Sequence, residues 1–114
     1  MHELSIVSNI CETLEGVAEE NHLSKIGRVT LTIGEVSGVV PRYLTDAWGW
    51  FTKEVELLAG STLEVEVKKA HTICNHCGHV YETVRYAKVC PECHSEDTVL
   101  LDGLELEIKE IEAI

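Results

Sequence analysis

CNHCGHVYETVRYAKVCPEC, residues 74–93, contains two Cys-x-x-Cys pairs separated by 12 residues. Each pair can sit on a tight turn that aims both sulfurs at one ion. Two such turns brought together make a tetrahedral set of four thiolates, about 2.3 Å from zinc. Gly78 suits a turn that needs positive φ, and Pro91 stiffens the second turn. The stretch decides the fold because residues 71–102 around it carry few large apolar side chains and cannot fold on a hydrophobic core alone. Cys74, Cys77, Cys90 and Cys93 are therefore expected to hold a structural Zn(II), with no open coordination position for catalysis.

Other readings of the same residues compete. Cys90-Pro-Glu-Cys93-His94 fits the pattern of covalent c-type haem attachment, but that chemistry needs export and would strand Cys74 and Cys77. The two knuckles also resemble rubredoxin, an iron electron carrier, which would be red where a zinc protein is colourless. A zinc-ribbon adaptor is a third alternative. Nucleic-acid binding by such a ribbon needs basic residues interleaved with aromatics, and the stretch lacks them. His76, His79 and His94 crowd the insert. They are either exposed loop histidines or donors to the thiolate sulfurs, able to replace a thiolate when pH or a second metal perturbs the site.

Outward from the cysteines, both flanks alternate. STLEVEVKKA before them points Leu63, Val65 and Val67 one way and glutamates the other; GLELEIKEIEAI after them does so with Leu104, Leu106 and Ile108. The shared rhythm predicts that the last strand pairs near the one before the insert. Further upstream, RVTLTIGEV alternates Val29, Leu31 and Ile33 with Thr30 and Thr32, as a strand covered on one face, and Gly34 and Gly38 punctuate a turn. Residues 4–23 place Leu4, Val7, Ile10, Cys11, Leu14, Val17 and Ala18 at helical spacing. Pro41 fits the first turn of a second helix, whose apolar stripe is Leu44, Ala47, Trp48 and Phe51. Trp50, two residues from Trp48, cannot share its face and is placed on a surface open to a partner. Cys11, on the apolar stripe, reads as a small core residue rather than a ligand.

The predicted architecture is α/β: a small three-stranded sheet covered by two helices, with an inserted zinc-ribbon-like four-cysteine module. Residues 1–70, completed by a C-terminal strand at 103–114, form one domain, and 71–102 the other. Twenty acidic against nine basic residues give a net charge of −11. Such a surface repels phosphate backbones and suits a protein that handles cations or docks on a basic patch. No apolar run of transmembrane length and no basic-then-apolar leader occurs, so the expectation is a cytoplasmic protein with reduced thiols, touching neither membrane nor nucleic acid. No nucleophile–base pair, phosphate loop or open metal site marks it as an enzyme.

The chain opens Met1-His2-Glu3. Histidine is too large for methionine aminopeptidases, so Met1 is expected to stay, with its α-amine beside the imidazole. That amine titrates near pH 8, and with the His2 amide nitrogen and ring it can close fused chelate rings. A nitrogen-rich, nearly planar donor set suits Ni²⁺ or Cu²⁺ better than Zn²⁺. The same residues also read as an ordinary helix start, with Glu3 favourable at the positive end of the helix dipole.

MHELSIV at the start, VTLTIGEVSGV in the first strand and turn, and the two knuckles at their spacing together resemble the HypA/HybF nickel-insertion factors, over essentially all 114 residues. The resemblance implies a nickel metallochaperone for [NiFe]-hydrogenase maturation. It implies Ni(II) carried on Met1, His2 and Glu3, Zn(II) on Cys74, Cys77, Cys90 and Cys93, and His79 and His94 flanking the zinc. It further implies two partners, the GTPase HypB and the hydrogenase large-subunit precursor, and a monomer or weak homodimer. Some members add a carboxylate ligand after the first strand; here that stretch reads GVVP, with Val39 and Val40.

Overall fold

The computed structural model describes residues 3–114, so Met1 and His2 lie outside the described residues. The chain divides into two compact units: Met1–Thr32 with Val39–Glu66 and Glu107–Ile114, and Ile33–Gly38 with Val67–Leu106. In the first, helix α1 spans Glu3–Asn21 and buries Ile6, Val7, Ile10, Cys11, Leu14 and Ala18. Leu4, expected in that stripe, sits in the first turn and is half exposed, while Ile6 is buried. The helix stops at His22, whose φ of 56° puts it in the left-handed region. The Leu23 N–H then reaches back to the Ala18 carbonyl at 2.8 Å, satisfying a carbonyl the helix leaves open.

Strand β1 (Ile26–Gly34) leads to α2 (Pro41–Phe51), which has Pro41 in its first turn as expected and packs on α1. Leu44 and Trp48 face the core; the Trp48 indole N–H donates to Ser61 Oγ at 3.0 Å, so its one polar atom is satisfied. A short 3₁₀ turn (Thr52–Glu54) follows, then β2 (Thr62–Lys68). The last strand of the chain, β6 (Leu106–Ala113), completes a three-stranded sheet in the order β2-β1-β6.

That order corrects the expectation that the last strand lies beside β2. Burial explains it: Ile26, Val29, Thr30, Leu31 and Ile33 are all buried, so β1 is covered on both faces and belongs in the centre. Strands β2 and β6 are mostly exposed or half-buried, as edges can be. Val65 is only half-buried and Val67 is 53% exposed; Leu104, read as part of the last strand, precedes it and is exposed. Arg28 on β1 ties the sheet laterally, bonding Glu64 on β2 and Glu112 on β6. Such exposed pairs contribute at most about 1 kcal/mol each, so the buried face of β1 holds the sheet together.

In the second unit, β3 (His71–Cys74) is the centre of a separate three-stranded sheet, β4-β3-β5, with β4 at Val80–Glu82 and β5 at Thr98–Leu100. Both pairings are antiparallel, matching Thr72 with Tyr81 on one side and with Leu100 on the other. A single helical turn, α3 (Thr83–Tyr86), follows β4. The two ends of residues 71–102 are stitched together: the His71 backbone N–H donates to Asp102 Oδ1 at 2.6 Å, and the His71 ring Nδ1 lies 3.0 Å from the same oxygen. The Leu101 N–H returns a bond to the His71 carbonyl at 2.8 Å.

Gly34 and Gly103 make a close backbone approach in this unit. A Cβ on Gly34 would overlap the Gly103 carbonyl, and one on Gly103, at φ 109°, would overlap Ala70. The obstacle is backbone, which cannot rotate away. Gly34→Ala is therefore expected to destabilise the fold by about 3 kcal/mol, read as a lower midpoint in urea.

Candidate metal centre

Two knuckles of the same construction present the four cysteines. In the first, the Gly78 N–H donates to the Cys74 carbonyl at 2.8 Å and the Cys74 N–H to the His79 carbonyl at 2.9 Å. In the second, the His94 N–H donates to the Cys90 carbonyl at 2.8 Å and the Cys90 N–H to the Ser95 carbonyl at 3.0 Å. The offsets are identical, and so is the backbone: Gly78 and His94 occupy equivalent positions with φ of 78° and 63°. Glycine at the first is what the turn demands. At the second, a histidine adopts a conformation most L-residues avoid. His94→Gly is expected to raise stability by roughly 0.5–1 kcal/mol, measured as a higher midpoint for thermal unfolding of metal-loaded protein.

The knuckles converge on one point. Cys74 Sγ lies 3.5 Å from Cys93 Sγ, and Cys77 Sγ lies 3.6 Å from Cys90 Sγ. All four sulfurs fall within 4.8 Å of one another, and no disulfide joins them. A tetrahedron with metal–sulfur bonds of about 2.3 Å has sulfur–sulfur edges of about 3.8 Å, so the donor set fits one zinc-sized ion with slight adjustment. Cys74 and Cys90 are buried, Cys93 is half-buried and Cys77 exposed. The pairs predicted from spacing are thus brought together, each thiol of one knuckle facing one of the other.

Electrostatics prepares the set for a cation. Backbone N–H groups of Cys77 and His76 aim at Cys74 Sγ and, against the cost of its burial, bring its thiol down to about 6. Cys93 goes the other way: the Ser95 N–H lowers it, but burial and the protons it shares with Cys74, Cys77 and Cys90 push it up to about 12. Cys77 also rises, because burial and Cys90 outweigh the His79 N–H. Four adjacent thiolates repel one another, and a divalent cation relieves that repulsion.

Among the described residues, the four cysteines are the one cluster of three or more metal-ligating side chains, and no histidine joins it. His79 is half-buried and stacks on Tyr81, with ring centroids 6.2 Å apart; His76 and His94 are exposed. Cys11 is buried in α1, and burial with the nearby Glu15 carboxylate pushes its thiol up to about 11, as befits a neutral core side chain. Glu3 lies in the first turn of α1, and no such cluster includes it among the described residues. Spacing alone does not reveal Tyr81, which packs with Cys74 and Cys90 and donates its hydroxyl to the Ala87 carbonyl at 3.0 Å. The alternation of His79, Val80 and Tyr81 leading into β4 is the signal that could have found it.

Comparison with known proteins covers the whole molecule. The family model described as hydrogenase/urease nickel incorporation, metallochaperone, HypA matches residues 1–113. A hydrogenase maturation factor HypA from Dehalococcoides mccartyi is 34% identical over 112 residues, covering 98% of this chain and 93% of that protein. The hydrogenase/urease maturation factor HypA of Helicobacter pylori is 30% identical over 116 residues, covering 100% and 98%. The solution structure of the Ni metallochaperone HypA from Helicobacter pylori superposes with a TM-score of 0.74 at 30% identity, covering 100% of this chain and 98% of that one. Among the described residues, no helix is long and apolar enough to cross a membrane.

Proposed function

The chain belongs to the HypA family of hydrogenase/urease nickel-incorporation metallochaperones, and from that premise we propose that it binds Ni(II) at Met1, His2 and Glu3 and delivers it to a hydrogenase large-subunit precursor, in concert with the GTPase HypB. Residues 1–70 with 103–114 carry the nickel function, and 71–102 carry a structural Zn(II) on Cys74, Cys77, Cys90 and Cys93. The observation that carries the reading is the family match, which begins at residue 1 and so includes the Met-His-Glu opening. The protein acts as a carrier in the cytoplasm and performs no bond-making of its own.

The four thiolates suit a closed structural site: every donor is used and two of the four cysteines are buried. Zinc there would cross-link β3 to the loop before β5. Iron in the same cage would make a rubredoxin-like carrier, but that reading leaves α1 and the β2-β1-β6 sheet without a task. Nickel, as cargo, needs the reverse of a closed cage. Glu3 is in the first turn of α1, and as the next residue in the chain it would add an oxygen donor to a cation held by Met1 and His2. Elemental analysis of untagged protein, followed by nickel titration, tests both halves. The expected result is one zinc without added metal and one nickel on titration; a red, iron-containing protein with no nickel stoichiometry would overturn the reading.

A further inference from the structure

We infer that the outer face of α2 is the surface on which the nickel recipient docks, a protein surface of net positive charge; the inference rests on the delivery reading above. Tyr43 and Trp50 are seven residues apart on α2, so their side chains project from one face, with half-buried Ala47 between them. Tyr43 is 55% and Trp50 72% exposed, while Leu44 and Trp48 take the core side. The two rings present on the order of 250 Å² of aromatic surface, a sizeable part of the roughly 800 Å² each partner gives to a standard interface. Tyrosine and tryptophan are the residues that dominate such interfaces when desolvated.

Gly49 lies on the solvent side of the same helix, about 100° around its axis from Trp50, where glycine weakens a helix relative to alanine. A methyl there would meet nothing within 4 Å, so packing inside the chain does not require the glycine. A partner lying close against α2 would require it. Gly16 in α1 is equally open but has no aromatic stripe beside it, which makes it an internal control.

Charge selects the occupant. The unit containing α2 holds 13 acidic and 5 basic residues, a net of −8, against −3 for the other unit. A second copy of the chain would bring −8 against −8 across the interface, whereas a cationic surface is attracted. The same unit contains α1, whose first residue is Glu3, and α1 packs on α2. A protein seated on α2 is therefore held by the unit that bears the nickel-carrying terminus, as a recipient must be.

The test is calorimetric titration of purified hydrogenase large-subunit precursor into nickel-loaded, native-ended protein. Binding is expected to weaken as salt is raised. Tyr43→Ala and Trp50→Ala are each expected to weaken it roughly tenfold or more, with nickel stoichiometry and circular dichroism unchanged. Gly49→Ala is expected to raise the melting temperature yet weaken precursor binding, while Gly16→Ala raises the melting temperature alone. Unchanged precursor affinity in both aromatic variants, with nickel still bound, overturns the docking surface and spares the delivery reading. So does a Trp50→Ala variant that turns a dimer into a monomer in sedimentation, which would make a second copy the occupant. Absence of nickel binding in the native-ended protein removes the delivery reading itself, and the docking inference with it.

Discussion

Stripping the ion from the four thiolates with a strong chelator is expected to unfold residues 71–102 while α1, α2 and their shared core persist. Among the described residues, a hydrophobic cluster in the second unit consists of Cys74, Tyr81 and Cys90, with Cys93 packed against it, and three of those four are proposed ligands. Burying Tyr81 contributes on the order of 1.5–3 kcal/mol. Zinc binding in comparable finger peptides contributes on the order of 10–16 kcal/mol. The metal therefore outweighs the apolar packing several-fold, and its loss leaves like-charged or competing thiols where a cation had joined them. The first unit buries Val7, Leu14, Ile26, Val29, Leu31, Leu44 and Trp48 and does not depend on the ion in this way. Amide exchange should show protection lost across β3, β4 and β5 and retained in α1 and β1. Cys74→Ser should reproduce the effect without a chelator, since Cys74 is the proposed ligand on the central strand. A fully protected 71–102 segment in demonstrably zinc-free protein would refute the structural role of the metal.

The cysteine spacing is the most informative part of the sequence because a chemical constraint fixes it. Four sulfurs around one small ion leave few arrangements, so spacing alone is enough to bring the pairs 74/77 and 90/93 to one point. Helix periodicity likewise locates α1 and α2, and Pro41 marks where α2 begins. Strand order is not legible, since alternation tells which face of a strand is covered and not which strand lies beside it. The run of buried positions in β1, Thr30 included, makes it central, but that burial is a property of the folded chain. The insert's own sheet is equally hard to foresee, because its strands are three or four residues long, too short for a period to emerge. The equivalence of His94 to Gly78 is concealed for another reason. A turn position normally filled by glycine is occupied by a residue that gives no hint of left-handed backbone. The nickel claw lies at the limit of inference by composition: Met-His-Glu offers donors, and their use is proposed on the strength of the family relationship.

Placing a tag of several residues before Met1 is expected to lower nickel affinity roughly 100-fold or more, about 2.7 kcal/mol, while zinc content stays constant. The extension converts the α-amine into an amide, and an amide nitrogen holds its proton far more tightly than an amine whose pKa is near 8. One strong donor is lost, and with it the chelate ring it closed with the His2 nitrogen. Geometry adds to this. Glu3 lies in the first turn of α1, where the helix dipole opposes a nearby cation by about 0.3–1 kcal/mol. The Glu3 carboxylate offsets that opposition, and the balance between them suits a carrier that must later release its cargo. Glu3→Gln should therefore weaken nickel binding less than the extension does, and His2→Ala about as much as the extension. Calorimetry on C-terminally purified protein, native-ended and extended, gives the comparison directly, with zinc measured in the same samples as the control. Equal nickel affinities in the two forms would mean that the terminal amine is no ligand. A parallel loss of zinc would mean that the extension had perturbed the fold rather than the claw.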